Sequence, residues 1–144
     1  METGTFAAGC FLGVEAAFRQ VPGVKNTAVG YLGGNVDQPT YKQVCTGTTN
    51  HAEVVQVEFD PSQVTYSQLL QLFWQIHDPT TKNRQGPDRG TQYRSGIFFH
   101  SPAQEEAAKA SLAIAQKSWP NPIVTEITPA PTFWLAEDYH QHYL

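Results

Sequence analysis

Alternating apolar and polar side chains mark the predicted strands of this chain. In Ala52–Phe59, Val55, Val57 and Phe59 alternate with polar residues, which predicts a strand with one buried face. Four other apolar runs are also predicted to be strands, and they span Thr3–Ala8, Lys25–Leu32, Ser95–Phe99 and Ile123–Thr128. Strands of this number and length are sufficient to form one sheet with a hydrophobic face.

A second spacing, with apolar residues recurring every three or four positions, predicts helices. The most regular segment runs from about Tyr66 to His77, and Asp78-Pro79 follows it as a stop signal. The other two segments span about Cys10–Gln20 and Pro102–Trp119. Ser101 precedes the last of these and is suited to cap it.

The order of the predicted elements is β-α-β-β-α-β, followed by a further helix and strand. This order predicts an α+β fold, a two-layer sandwich built on a ferredoxin-like plait, with residues 1–144 forming a single catalytic domain. Two polar, glycine-containing segments, Gly33–Thr49 and Thr80–Arg94, have no clear periodicity. Long segments of this kind in a compact domain are often functional.

Composition and charge narrow the possible functions. Of the 144 residues 40% are hydrophobic, and the net charge of −4 predicts no nucleic-acid or membrane partner. No apolar stretch is long enough to span a bilayer. The first predicted strand begins almost directly after Met1, so we expect no signal peptide and a monomeric, cytoplasmic protein.

The cysteines and histidines predict neither a disulfide framework nor a metal site. The two cysteines, Cys10 and Cys45, form no CxxC pair, and reduced thiols are the usual state in the cytosol. The five histidines are spread along the chain without the spacing of zinc ligands. We therefore expect no bound metal or cofactor.

Cys10 is the strongest candidate for a catalytic group. It lies between Gly9 and Phe11, where a predicted strand ends and a predicted helix begins. A thiol at a helix start faces unpaired backbone N–H groups and the positive end of the helix dipole, and both favour the thiolate. The competing interpretation is a small buried hydrophobe, because Cys10 also lies on the apolar face of its helix.

Three other segments concentrate polar and aromatic groups. Tyr41 precedes a loop that leads to Glu53, and a carboxyl at the start of a strand can hold a raised pKa and donate a proton. Asp88 and Tyr93 lie together in the second segment, and His140 lies in an aromatic segment near the C-terminus. Each has an ordinary alternative as a solvated carboxylate, a packing aromatic or a surface turn.

Together these segments resemble the A-type peptide methionine sulfoxide reductases. The resemblance covers nearly the whole chain and rests, in this order, on GCFLGVEAAF, GVKNTAVGYLGG, YKQVCTGTTNHAEVVQVEFDP, DRGTQYRSGIFF and AEDYHQHY. It implies an α+β sandwich around a plait. It also implies reduction of methionine S-sulfoxide, free or in proteins, and a role in the repair of oxidised proteins.

The family pattern implies a role for each residue of the first block. Cys10 matches the catalytic cysteine, and Phe11 and Leu12 match the pair that holds the substrate methyl group. Position 12 usually holds tryptophan in this family. Because leucine offers a smaller wall, we expect Leu12 to hold the methyl group less well and the substrate to bind more weakly.

The same pattern implies roles for five residues in the later blocks. Tyr41, Glu53 and Tyr93 match the groups around the sulfoxide oxygen. Asp88 matches an aspartate in the same pocket, and His140 matches a histidine near its rim. The later blocks therefore supply the predicted proton donor and the predicted hydrogen-bond donors.

Two further features of the sequence depart from the family pattern. Asn50 stands where glycine is common, and asparagine tolerates positive φ better than most residues. No cysteine follows Cys45, whereas many relatives have a resolving cysteine in a glycine-rich tail. We interpret Cys45 as structural and expect an external thiol, thioredoxin or glutathione with glutaredoxin, to regenerate Cys10.

These roles predict a reaction sequence. The Cys10 thiolate attacks the sulfoxide sulfur, Glu53 protonates the departing oxygen, and two tyrosines stabilise charge on that oxygen. Methionine leaves and Cys10 becomes a sulfenic acid. An ionised Glu53 would oppose formation of the thiolate, so the two groups are expected to titrate together.

Three other functions stay open at this point. A cysteine peroxidase or peroxide sensor would share the thiolate at the helix start, but it would not need an acid and two tyrosines around a methyl-sized pocket. A cysteine hydrolase would need a histidine base, and no histidine has an evident base position near Cys10. A module that binds methionine-containing peptides without turnover would account for Leu12.

Overall fold

The computed structural model describes residues 1–141, and eight strands lie within them. They are β1 (Glu2–Ala8), β2 (Val24–Leu32), β3 (Ala52–Phe59), β4 (Arg84–Gln85), β5 (Asp88–Arg89), β6 (Ser95–Phe99), β7 (Glu126–Pro129) and β8 (Trp134–Leu135). Six of them form one sheet in the order β7-β6-β1-β3-β2-β8, and β4 and β5 form a separate hairpin. All neighbours in the large sheet are antiparallel except β6 and β7, which are parallel.

Four α-helices connect these strands within the same residues. They are α1 (Phe11–Arg19), α2 (Tyr41–Cys45), α3 (Tyr66–Gln75) and α4 (Pro102–Gln116). Short 3-10 turns occur at Thr91–Tyr93 and Asp138–His140. The α+β class predicted from the sequence is confirmed. Within the described part of the chain, no helix is long and apolar enough to cross a membrane.

The clearest differences from the predicted boundaries occur after α4. This helix ends at Gln116, not Trp119, because the side-chain Nε2 of Gln116 donates to the backbone carbonyl oxygens of Trp119 and Asn121. Its side-chain oxygen also accepts the backbone N–H of Ile123, at 2.8 Å. The polypeptide is therefore held against the end of the helix, and the predicted strand from Ile123 begins only at Glu126.

Helix α2 lies inside a segment whose pattern predicted no element. Its N-terminus is a capping box, in which the Thr40 hydroxyl accepts the Gln43 N–H and the Gln43 side chain accepts the Thr40 N–H. A capping box satisfies two backbone donors that are otherwise unpaired at a helix start. Five residues are too few to show a helical hydrophobic period, which explains why the pattern missed this element.

The two faces of the sheet are covered differently. One face packs against α1, α3 and α4, and its buried residues include Phe6, Val29, Val55, Val57, Phe59 and Ile97 from the strands. The other face has a smaller core made of Ala7, Leu32, Ala52, Val54 and Phe98, and Ala130 and Phe133 pack against it. The helices therefore lie over the larger core.

Alternation along β3 decides where its single buried carboxylate points. Glu53 shares a face with Val55 and Val57, because successive strand residues project to opposite sides of a sheet. That face is the one covered by α1, which begins directly after β1. The start of β3 and the start of α1 are thereby brought together.

Phe6 stands at the centre of the larger core, and we expect its removal to be costly. It is fully buried, and its ring centroid lies 4.9 Å from that of Phe18, 5.9 Å from Tyr66 and 5.8 Å from Phe73. Phe6→Ala should lower the free energy of unfolding by about 3–5 kcal/mol. Urea unfolding measures this. The matched control Ile114→Ala, at a position 68% exposed on α4, should change it by less than about 0.5 kcal/mol. A loss below about 1 kcal/mol for Phe6→Ala would contradict this account of the core.

Candidate active site

Cys10 is the N-cap residue of α1 and is half buried. The preceding Gly9 has a φ of +100°, a conformation that side-chain-bearing residues rarely adopt. A Cβ at Gly9 would also come within 2.9 Å of the Gln85 side chain on the β4–β5 hairpin. The turn from β1 into α1 therefore needs glycine, and it places the thiol next to the hairpin.

The electrostatic environment of Cys10 differs from the sequence-based expectation. Burial raises the pKa of the thiol, and the N–H groups of Leu12 and Gly13 at the helix start lower it only in part. The carboxylates of Glu53 and Asp88 raise it further. The helix N–H groups favour the thiolate and Glu53 opposes it, both as expected, but burial is the largest influence and the pKa of Cys10 is raised overall.

Glu53 is the most perturbed acid near this thiol. Its side chain is 1% exposed, and its Oε1 accepts the backbone N–H of Phe11 at 3.1 Å. Its Oε2 is buried and has no hydrogen-bond partner among residues 1–141. Burial raises the pKa of Glu53 to about 7, with a smaller contribution from the charge of Asp88. The raised pKa predicted from the sequence is thus confirmed, and Oε2 can carry a proton near neutral pH.

Tyr41 is placed by the short helix α2, where it is the first residue. A hydrogen bond to Cys45, and then burial, raise the pKa of Tyr41, so its hydroxyl remains a neutral donor at physiological pH. Cys45 itself is exposed at the end of α2. The helix turns this thiol toward solvent and Tyr41, and the interpretation of Cys45 as structural stays a prediction.

Asp88 and Tyr93 reach the site through the hairpin and the 3-10 turn that follows it. Burial, followed by the charge of Glu53, raises the pKa of Tyr93 to about 12. Arg94 anchors this turn, because its Nη1 donates to the carbonyl oxygens of Thr91 and Asn50, each at 2.9 Å. Asn50 has a φ of +60°, which agrees with its expected tolerance of the conformation that glycine adopts.

The remaining predicted residues form an aromatic wall beside the thiol. The Phe11 ring centroid lies 5.3 Å from His140 and 6.2 Å from Tyr41, and the His140 and Tyr41 rings lie 4.5 Å apart. His140 is buried rather than placed at a rim. Leu12 is partly buried and packs at the edge of the larger core. The structure thus brings all eight predicted site residues into one cluster.

Two residues near this cluster were not singled out from the sequence. Tyr31 lies directly opposite Glu53 in the β2–β3 register, and its ring centroid lies 5.6 Å from that of Phe11. Glu137 accepts the Tyr31 hydroxyl at 3.1 Å and the Tyr41 backbone N–H at 3.0 Å. For Tyr31 the only available signal was its position opposite Glu53 on the paired strands. For Glu137 there was none, because nothing local in the sequence links it to α2.

A sizeable cavity lies away from the cysteine site. It has a volume of about 830 Å³ and is lined by residues that include Thr3 at the start of β1, Tyr66 of α3 and Gln104 of α4. The cysteine site, in contrast, is recognised by its chemistry. Within residues 1–141, no group of three or more histidine, cysteine or acidic side chains could hold a metal ion.

The Cys10 thiol lies beside a carboxyl of pKa about 7, two tyrosines and an aromatic wall, and this arrangement suits thiol-dependent redox chemistry. Over residues 2–144 the sequence matches the peptide methionine sulfoxide reductase family. Peptide methionine sulfoxide reductase MsrA of Geobacter sulfurreducens is 62% identical over 100% of this chain and 90% of that protein. Peptide methionine sulfoxide reductase A2 of Arabidopsis thaliana is 57% identical over 99% of this chain and 66% of that protein.

Solved structures agree with the sequence matches. The reduced form of Mxr1 from Saccharomyces cerevisiae superposes with a TM-score of 0.94 at 44% identity, covering 99% of this chain and 83% of that one. Methionine sulfoxide reductase A of Corynebacterium diphtheriae gives a TM-score of 0.91 at 42% identity, covering 99% and 73%. The chain belongs to the peptide methionine sulfoxide reductase family, in its A type. The resemblance and the enzyme class inferred from the sequence, a peptide-methionine (S)-S-oxide reductase, are confirmed.

The raised pKa of Glu53 predicts a pH-dependent cost to stability. Because this pKa rises from 4.5 to about 7 on folding, stability is lost as pH increases through this interval. Glu53→Gln should therefore raise the free energy of unfolding by about 3 kcal/mol at pH 8 but by only about 1 kcal/mol at pH 5. Urea unfolding at both pH values measures the difference.

The matched control for this prediction is Glu58→Gln, on the same strand but exposed. It should change the free energy of unfolding by less than about 0.5 kcal/mol at either pH. An equal gain for Glu53→Gln at pH 5 and pH 8 would show that the Glu53 carboxyl is not held at a raised pKa.

Proposed function

We propose that this chain reduces the S-sulfoxide of methionine, free or in proteins, with Cys10 as the nucleophile and Glu53 as the proton donor. The observation that supports this proposal is the unpartnered Oε2 of Glu53, buried beside the thiol in a carboxyl of pKa about 7. A general acid is most effective when its pKa lies near the working pH. The role that follows is the repair of oxidised proteins.

The protonation states of Cys10 and Glu53 suit this reaction. Before substrate binds, the raised pKa values of Cys10 and Glu53 favour a neutral thiol beside a carboxyl that is close to half protonated. As Cys10 attacks the sulfoxide sulfur, its proton and that of Glu53 are available to the departing oxygen. An oxygen leaving group needs this protonation, because oxide does not leave unaided near neutral pH.

The reaction is balanced between the two sulfur atoms. Attack forms a bond between Cys10 Sγ and the sulfoxide sulfur, and the twice-protonated sulfoxide oxygen leaves as water. A water molecule then adds to Cys10 Sγ as this S–S bond breaks, which releases methionine and returns a proton to Glu53. The substrate sulfur thereby gains two electrons. Cys10 loses two electrons and becomes a sulfenic acid, which is reversible. Tyr41 and Tyr93 remain neutral because their pKa values are raised, and their hydroxyls donate to the oxygen as charge develops on it.

Substrate recognition is assigned to the wall next to Cys10. Phe11 is 1% exposed and is held in place by the rings of Tyr31, Tyr41 and His140. The partly buried Leu12, which follows Phe11 in α1, offers an apolar surface for the methyl group. Asp88 lies close enough to Cys10 and Glu53 to affect both pKa values, and we assign it a role in tuning the shared proton.

Regeneration of Cys10 is assigned to an external thiol. The thiol attacks the sulfenic acid, water leaves, and a second thiol releases Cys10 from the mixed disulfide. Thioredoxin, or glutathione with glutaredoxin, supplies these electrons. In support, Mxr1 in complex with Trx2 matches this chain with a TM-score of 0.71 at 30% identity, covering 99% of this chain and 84% of that one.

The central strands support the more detailed fold assignment. We interpret β1, β2, β3 and β6 with α1 and α3 as a ferredoxin-like plait, because these strands lie in the order β6-β1-β3-β2 and are antiparallel. In this arrangement the two helices follow the first and third strands of the plait. The start of α1 then lies where β1 ends, beside the start of β3.

Serine variants of the two cysteines test the assigned roles in steady-state turnover with thioredoxin and its reductase. Cys10→Ser should abolish release of methionine from the S epimer, because serine is a far weaker nucleophile than the thiol. Cys45→Ser should keep at least half of the rate with thioredoxin. Normal first turnover but failed recycling in Cys45→Ser would instead make Cys45 the resolving thiol.

The identity of residue 12 should control substrate affinity. Leu12→Trp adds apolar surface where the substrate methyl group is proposed to bind, and it should lower KM for a blocked methionine S-sulfoxide roughly tenfold. Leu12→Ala removes apolar surface and should raise KM. Initial rates over a range of sulfoxide concentrations measure both. A KM that does not respond to either substitution would remove Leu12 from the binding site.

A further inference from the structure

Glu137 joins the C-terminal segment to two aromatic residues of the site. Its Oε1 accepts the Tyr31 hydroxyl at 3.1 Å, and its Oε2 accepts the backbone N–H of Tyr41 at 3.0 Å. The two oxygens of one carboxylate therefore bridge strand β2 and helix α2. Hydrogen bonds to a charged acceptor are roughly twice as strong as those between neutral groups.

The bond to Tyr41 acts directly on the geometry of α2. The capping box of α2 occupies the N–H groups of Thr40 and Gln43, whereas Tyr41 donates its N–H to Glu137. The backbone of Tyr41 is thus held from outside the helix. Since the side chain starts from this backbone, Glu137 limits where the Tyr41 hydroxyl can point.

The second bond of Glu137, to the Tyr31 hydroxyl, acts on another ring that packs against Phe11. Tyr31 is fully buried and packs against Phe11, and burial followed by the charge of Glu137 raises the pKa of its hydroxyl. Tyr31 therefore remains a neutral donor to the carboxylate. The Tyr31 and Tyr41 rings both lie next to the Phe11 ring, so both partners of Glu137 contact Phe11.

The segment that contains Glu137 has anchors of its own. The Ala136 N–H donates to the Val29 carbonyl at 3.0 Å, and the Gln141 side chain pairs with both backbone groups of Val29 at 2.8 Å. These bonds do not involve the Glu137 carboxylate. Its removal should therefore release Tyr31 and Tyr41 without detaching the segment from β2.

We propose that Glu137 is a positioning residue that sets the Tyr41 hydroxyl at the sulfoxide oxygen through the Tyr41 backbone. This inference rests on the role proposed above for Tyr41. Glu137 does not itself contact the reacting atoms. Misplacing a catalytic group by a small distance can lower a rate by one to two orders of magnitude.

A double-mutant cycle on the rate of the first turnover separates positioning from a structural role. Reduced protein is mixed with saturating blocked methionine S-sulfoxide, without added thiol, and methionine is quantified against time. Glu137→Ala should slow this step about tenfold or more. In a Tyr41→Phe background the same substitution should change the rate less than about twofold, because the hydroxyl it positions is already gone.

Two further variants keep the interpretation specific. Asp138→Ala removes the exposed acidic neighbour in the same turn and should leave the rate unchanged. Glu137→Gln retains one acceptor oxygen and should recover part of the rate lost in Glu137→Ala, which provides a second reading if the alanine variant folds poorly. Equal thermal stabilities of Glu137→Gln and the unsubstituted protein would exclude partial unfolding as the cause.

The outcomes that overturn the inference differ from those that overturn the proposed function. Equal losses from Glu137→Ala with and without the Tyr41 hydroxyl would overturn the positioning role alone. A Tyr41→Phe variant as fast as the unsubstituted protein would overturn both the role of Tyr41 and this inference. Absence of methionine from the unsubstituted protein would overturn the proposed function itself.

Discussion

One buried hydrogen bond joins the two halves of the site, from the Phe11 N–H to the Oε1 of Glu53. Phe11 begins α1 directly after Cys10, and Glu53 stands near the start of β3. The bond uses one of the free donors at the helix start and one carboxyl oxygen, so the other oxygen remains available for a proton. The glycine turn at Gly9 and the side-chain alternation of β3 both serve to bring these groups together.

Burial raises the pKa values of both Cys10 and Glu53, and it also lowers the stability of the protein at neutral pH. A carboxyl excluded from water prefers its proton, which opposes stability at neutral pH but supplies a general acid there. The same desolvation keeps the Cys10 thiol protonated at rest. In the proposed mechanism Cys10 and Glu53 therefore act as one unit, whose protons are redistributed when substrate binds. The neutral tyrosines complete this unit without adding negative charge to it.

Sequence patterns predicted the longer helices and strands and the chemistry of individual motifs. Strand β3 and the raised pKa of Glu53 follow from alternation and from a carboxyl placed on a buried face. The pKa of Cys10 did not follow, because burial and the charge of Asp88 depend on tertiary neighbours that are distant in the chain. Glu137 was missed for the same reason, since its partners lie 106 and 96 residues away. The assignment of residues 1–144 to a single catalytic domain, and the catalytic roles of the site residues, stay predictions.

The most direct measurement of the central claim is a first turnover without added thiol, carried out separately with the S and R epimers of a blocked methionine sulfoxide. We expect one equivalent of methionine from the S epimer and none from the R epimer. A sulfenic-acid trap should label Cys10, as located by peptide mass spectrometry. No methionine from either epimer with the folded protein, or a trapped label on Cys45 instead of Cys10, would contradict the assignment of Cys10 as the nucleophile.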